Sequence, residues 1–301
     1  MMKDFCKLLV FIVFLGLASC TEDIVIDIEE GEPMIGVEAS FTDELKHHEA
    51  ILSYTSEFYG KEEIKMVEGA TVYVTDIEGN DTIYYYEDAE QKGHYFTELV
   101  AGRKNTLYRL CVEVPEPDGT MQRLFAESLM PDNVEHIDSL VIKHFNGEND
   151  SLPSTFFLDT IEWLYPYFQS LPDPNITYMP MIFLNDSLLS DTLTQSMVIP
   201  VGGYAGYYIN GPEMQAENKE IPIGFFLRKN LQKGDVVRAD LYSISQDFLF
   251  YVYSLLISTG SNPMLGAPAN VITNVQPAGE GVGWFFTASV VSAETVFEDK
   301  Y

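Results

Sequence analysis

Residues 68–75 alternate strictly. Ala70, Val72 and Val74 fall on one side of an extended chain, and Thr71, Tyr73 and Thr75 on the other. A period of two belongs to a strand with one buried face. Asp76 to Asp81 then read as a turn, with Gly79 and Asn80 suited to positive φ, and Thr82 to Glu87 as the return strand. The pattern recurs at Met34–Phe41, Gly93–Thr97 and Tyr108–Val114, with another turn at Pro115–Gly119. Short, regularly spaced strands separated by turn residues predict an antiparallel β-sandwich over residues 34–132.

Met130-Pro131-Asp132 is the expected seam. Beyond it, residues 133–301 predict a second β-rich domain, with strands at Val134–Phe145 and near 178–185, 195–200, 221–228 and 235–243. One helix is inserted at about 245–258: Phe248, Tyr251, Val252, Leu255 and Thr259 form an apolar stripe, and Ser245 is its N-cap. Residues 281–291 close the chain as a strand entered through glycines. Ile161–Phe168 and Gly202–Gly211 are rich in aromatics and broken by Pro166 or by glycines, and read as loops. Trp163, Tyr165, Tyr167 and Tyr207 are their candidate partner contacts, serving a protein interface or a sugar platform; aromatics covering the flank of a sandwich explain them equally. The order of strands in the first half resembles immunoglobulin-like or prealbumin-like extracellular modules.

The N-terminus carries an address. Lys3 and Lys7 precede an apolar run, Leu8 to Leu17, which is too short for a membrane span of about 20 residues but suits the core of a signal peptide. Leu17-Ala18-Ser19-Cys20 resembles the bacterial lipobox, so residues 1–19 are expected to be a signal peptide and Cys20 a lipidated N-terminus, with palmitate among its acyl chains. Thr21-Glu22-Asp23 resembles a surface-export signal, and the acids from there to residue 33 read equally as a solvated tether.

Net charge is −29; without residues 1–19 it is −30, from 15 basic and 45 acidic residues. Such a surface repels phosphate backbones, which argues against nucleic-acid binding. Cys111 alone remains once Cys6 leaves with the signal and Cys20 takes lipid, so neither an intramolecular disulfide nor a CxxC motif is available. It lies on the polar face of its strand, beside Arg109 and Glu113, and reads as structural.

The sequence carries none of the common catalytic motifs. His47-His48-Glu49 lacks the second histidine of HExxH, and no GxSxG elbow or phosphate-binding GxxxxGK[ST] loop occurs. Gly279–Gly283 opens a strand, so it offers no helix N-terminus to a phosphate. The chain is accordingly read as a non-enzyme with no cofactor and no metal. One weak calcium reading falls on Asp76, Glu78, Asn80 and Asp81, whose oxygens a solvated turn explains as well. Six Asp-[Ser/Thr]-aliphatic triplets place hydroxyls at Thr82, Ser139, Ser151, Thr160, Ser187 and Thr192. They resemble O-glycosylation acceptors of exported Bacteroidota proteins, although an Asp that ends a turn before a strand gives the same letters.

The strand Glu68–Val72 with its turn at Asp76–Gly79, the strand Tyr108–Val112, and a C-terminal block form a consistent set. The block comprises Asn262-Pro263, Ala269-Asn270-Val271, Asn274 and Gly281–Phe285. Together they resemble domain-of-unknown-function family 4249, outer-membrane lipoproteins of Bacteroidota. The resemblance implies a cell-surface, lipid-anchored protein encoded beside a TonB-dependent transporter, and brings no catalytic residues. The function expected is accessory subunit of that transporter, aiding substrate capture or gating. A stand-alone adhesin or glycan binder, and a structural component of an outer-membrane assembly, are the alternatives.

Overall fold

A computed structural model describes residues 33–55, 64–78, 81–144, 161–168, 176–189, 209–210, 222–260 and 271–299. They belong to a unit that spans Pro33–Tyr301. The protein is mainly β, and the expected sandwich and inserted helix are both present.

The strands in chain order are β1 (Ile35–Thr42), β2 (Glu49–Tyr54), β3 (Thr71–Asp76), β4 (Thr82–Glu87), β5 (His94–Thr97), β6 (Thr106–Pro115) and β7 (Met121–Met130). Then come β8 (Ser139–His144), β9 (Ile161–Tyr167), β10 (Ile176–Leu184), β11 (Ser187–Leu188), β12 (Ile209–Asn210), β13 (Gly224–Leu227) and β14 (Val236–Ser245). The helix α1 (Gln246–Gly260) follows, and β15 (Val275–Gln276) and β16 (Gly281–Val296) close the chain. Six of these, β2, β7, β9, β11, β12 and β15, were not anticipated from the sequence.

One sheet runs in the order β11-β10-β14-β16-β1-β2-β5-β4-β3-β6-β7-β15, with β12 attached to β10. Strands from both sides of Met130–Asp132 therefore share it. Neighbours pair antiparallel except β1 and β16, the first and last strands, which run parallel with Val37 opposite Gly283. A separate sheet has the order β13-β9-β8.

The large sheet folds over on itself. Phe41 of β1, Leu52 of β2, Val72 and Val74 of β3, Leu110 of β6, Met130 of β7 and Phe285 of β16 are all buried in one cluster. Strands that are distant in the order thus close around a common core, as the alternation in β3 and β6 requires. Each such side chain contributes about 1.5–3 kcal/mol on burial. A second cluster packs Leu140, Leu164 and Phe226 of the small sheet against Val237 and Ala239 of β14.

Residues 161–167 form a strand where a loop was expected. β13 pairs with Ile161–Leu164 only, so Pro166 lies where β9 has a single neighbour and the missing N–H is tolerated. The expected strand at 195–200, and the aromatic segment 202–208, lie outside the described residues.

Candidate functional site

A cleft of about 740 Å³ lies between the outer edge of the β6–β7 hairpin and the first turn of α1. Alternation supplies one wall. Tyr108 and Met130 point into the core, so their neighbours Leu107 and Leu129, paired directly across the hairpin, point outward. The helix supplies the other. Ser245 Oγ accepts the Phe248 N–H at 3.3 Å and caps α1 as expected. Phe248 and Val252 are buried against the sheet, and Phe250, two residues from each, faces the cleft with 54% of its surface exposed.

Trp284 of the lining belongs to an aromatic cluster behind it. Phe248 stacks on Phe286 with centroids 4.1 Å apart, and Tyr251 stacks on Trp284 at 4.9 Å. The Trp284 side chain lines the cleft, yet its Nε1 is buried without a hydrogen-bond partner. Such an orphan donor is uncommon in a native core.

The charged residues of the lining are all acidic, Glu127, Asp132 and Asp247, and among the described residues no Lys, Arg or His lines it. Glu127 is ion-paired with Arg109. Asp132 accepts the Asn133 N–H at 2.9 Å. Asp247 sits in the first turn of α1, where the helix dipole favours an acid. Neither Asp132 nor Asp247 has an ion-pair partner among the described residues. The cleft thus combines apolar rims at Leu107, Leu129, Phe250 and Ile272 with negative charge, a lining suited to binding.

A second cleft, of about 610 Å³, surrounds Glu162 of β9. This carboxylate is almost fully buried, and takes Arg228 Nη1 at 2.8 Å and His144 Nδ1 at 3.1 Å. Arg228 also pairs with Asp299. Charges of both signs line it, and the network ties β8, β9 and the end of the chain together.

Among the sequence-predicted residues, Trp163 is buried, with only 6% exposure, in a small cluster with Ile161, Tyr165, Phe225 and Leu227. Tyr165 and Tyr167 share its face of β9 and are half-buried, with Lys143 Nζ 4.9 and 5.3 Å from their ring centroids. Tyr207 lies outside the described residues, as do Cys20, Ser151, Thr160 and Thr192. Thr82, Ser139 and Ser187 are exposed, each at the first position of its strand. Arg103 bridges two of the acids in the calcium reading, with Nη2 2.7 Å from Asp76 and Nη1 2.9 Å from Asp81. Among the described residues no group of three or more His, Cys, Asp or Glu is placed to hold a metal ion, and no helix is long and apolar enough to cross a membrane.

The cleft residues escaped the sequence reading. The available signal was Leu107: on the outward face of β6 it stands in line with Arg109, Cys111 and Glu113, an apolar residue on an otherwise polar face.

Fold and clefts together define a β-rich protein with an acidic, apolar-rimmed groove. The chain belongs to the family described as "Domain of unknown function (DUF4249)", whose model matches residues 21–294. No curated protein matches it. A solved structure of the chicken CNTN1 FN1-FN3 domains is similar at 9% identity and a TM-score of 0.27, over 72% of this chain and 64% of that one. At that score the likeness carries no argument.

Proposed function

We propose that this protein is a lipoprotein held at the outer face of the outer membrane by acyl chains on Cys20, and that it serves as accessory subunit of a TonB-dependent transporter. In that role it helps to capture or gate the transported substrate. The observation that carries this reading is Leu17-Ala18-Ser19-Cys20 at the end of a short export segment. Two or three acyl chains there exceed what stable anchoring needs. Membership of the family supports the reading, as does a groove suited to a partner. Exposed Thr82, Ser139 and Ser187 remain the candidate O-glycan acceptors, and an intact mass of peptide plus lipid alone removes them.

The test is a pull-down of tagged full-length protein from outer membranes in mild detergent, with partners identified by mass spectrometry. Stoichiometric recovery of a TonB-dependent barrel is expected. Recovery of the lipoprotein alone overturns the accessory role.

A further inference from the structure

The geometry points to the α1/β6–β7 cleft as the docking site for an extended segment of a partner protein that carries a Lys or Arg between aliphatic side chains. This rests on the accessory-subunit reading and names the chemistry of the contact. Three observations converge on one place. Leu129, Phe250 and Ile272 expose 51%, 54% and 48% of their surfaces around a single groove, more than scattered surface apolars require. Asp132 and Asp247 line the same groove with no cation beside them among the described residues, so a cationic side chain of the occupant completes the charge. Trp284 lines the same groove and gives the occupant's aliphatic side chains an aromatic surface to pack against.

Neutral apolar ligands fit less well, because closing the groove over them strips water from two carboxylates with no return. Anionic ligands are repelled by those carboxylates and by the −29 charge of the chain. That overall charge also attracts any basic peptide, so the test separates local from general attraction.

The experiment measures fluorescence anisotropy of a labelled peptide LKIRL, with LQIQL as its neutral analogue, on the full-length protein in detergent. Wild type is expected to bind LKIRL at least ten-fold more tightly than LQIQL. The double variant Asp132→Asn/Asp247→Asn is expected to lose about ten-fold, and Leu129→Ser to weaken both peptides. A control with two acids removed from the segments on either side of β5, far from the cleft in sequence, Glu90→Gln/Glu98→Gln, is expected to bind as wild type. Asp247, Leu129, Glu90 and Glu98 are exposed and Asp132 is part-buried, and circular dichroism verifies that the variants keep their fold. Equal binding of the two peptides, or equal loss in the control, overturns the proposal. The same variants enter the pull-down. If LKIRL binding depends on the cleft but no barrel is recovered, the docking site stands and the transporter reading falls. If a barrel is recovered equally by wild type and the double variant, the cleft is not the contact.

Discussion

Gly283→Ala, set beside Gly279→Ala, isolates the closest approach in the fold. Both glycines adopt positive φ, +105° and +87°. A Cβ at Gly279 meets nothing within 4 Å, so alanine there suffers only the strain of a left-handed backbone, about 1–2 kcal/mol. A Cβ at Gly283 would lie 2.0 Å from the Val37 carbonyl oxygen. Relief demands that β1 and β16 separate by about an ångström at their centre, which weakens two or three ladder hydrogen bonds at about 1 kcal/mol each. The total loss at Gly283 is then roughly 4 kcal/mol. In urea unfolding followed by Trp fluorescence, at an m-value of about 2 kcal/mol/M, the Gly283→Ala midpoint falls by about 2 M. The Gly279→Ala midpoint falls by about 0.5–1 M, at most half of that. Equal midpoints for the two variants refute the parallel β1–β16 contact.

Three other outcomes follow from the same core. His48 is buried, its Nε2 3.0 Å from the Val100 carbonyl and its Nδ1 3.4 Å from the Thr42 nitrogen, and burial pushes its pKa down to about 4. The unfolded ring titrates near 6.5, so the unfolded chain binds the extra proton between the two values. This stability is present above pH 6.5 and is lost as pH falls toward 4, by about 3 kcal/mol in all. Urea midpoints at pH 7.5 and 4.5 measure it, and an unchanged pH profile in His48→Gln refutes it. Asn274→Ala removes amide bonds to the main chain of Glu127 and Phe285, and is expected to cost about 2–3 kcal/mol in the same assay. Cys111 is half-buried, and desolvation raises its pKa. Iodoacetamide at pH 7.5 is expected to label the native thiol at least ten-fold more slowly than the denatured one; equal rates sink the structural assignment.

How much of this was legible depended on how each element is buried. β3, β4 and β6 have one dry and one wet face, so alternation announced them. α1 announced itself through Ser245 and its stripe. β9 did not, because Ile161–Leu164 is buried on both faces and loses its alternation, while Pro166 points to a loop. In β7, Phe125 and Leu129 face outward between buried Leu124, Ala126 and Met130, which blurs the period. Trp163 read as a contact because tryptophan is common at interfaces; nothing local distinguishes it from the core residue it is here. The lipobox needs no fold to be seen. The cleft was invisible, because its walls come from residues 105–132, 245–250 and 272–284, and only the closure of the sheet brings them together.

The position of the cleft has a structural cause. β7 and β16 pack on the same core, but no ladder joins them among the described residues. Side chains do the joining instead. Asn274 Nδ2 donates to the carbonyls of Glu127 and Phe285 at 3.1 and 2.7 Å, and its Oδ1 accepts the Phe285 N–H at 3.0 Å. Ser128 Oγ lies 3.0 Å from Thr287 Oγ1 and accepts the Thr287 N–H. Beyond the end of β7, Asn133 Nδ2 donates to Leu241 and Ser289 at 3.1 and 2.7 Å. These polar bridges satisfy main-chain groups that would otherwise be buried without partners. They also join two strands that no ladder joins among the described residues. Ser128 and Asn274, which make these bridges, and Trp284, which precedes Phe285, all line the cleft. Its shape is therefore set by buried hydrogen bonds on both sides, and a partner that enters it meets a surface already held in place.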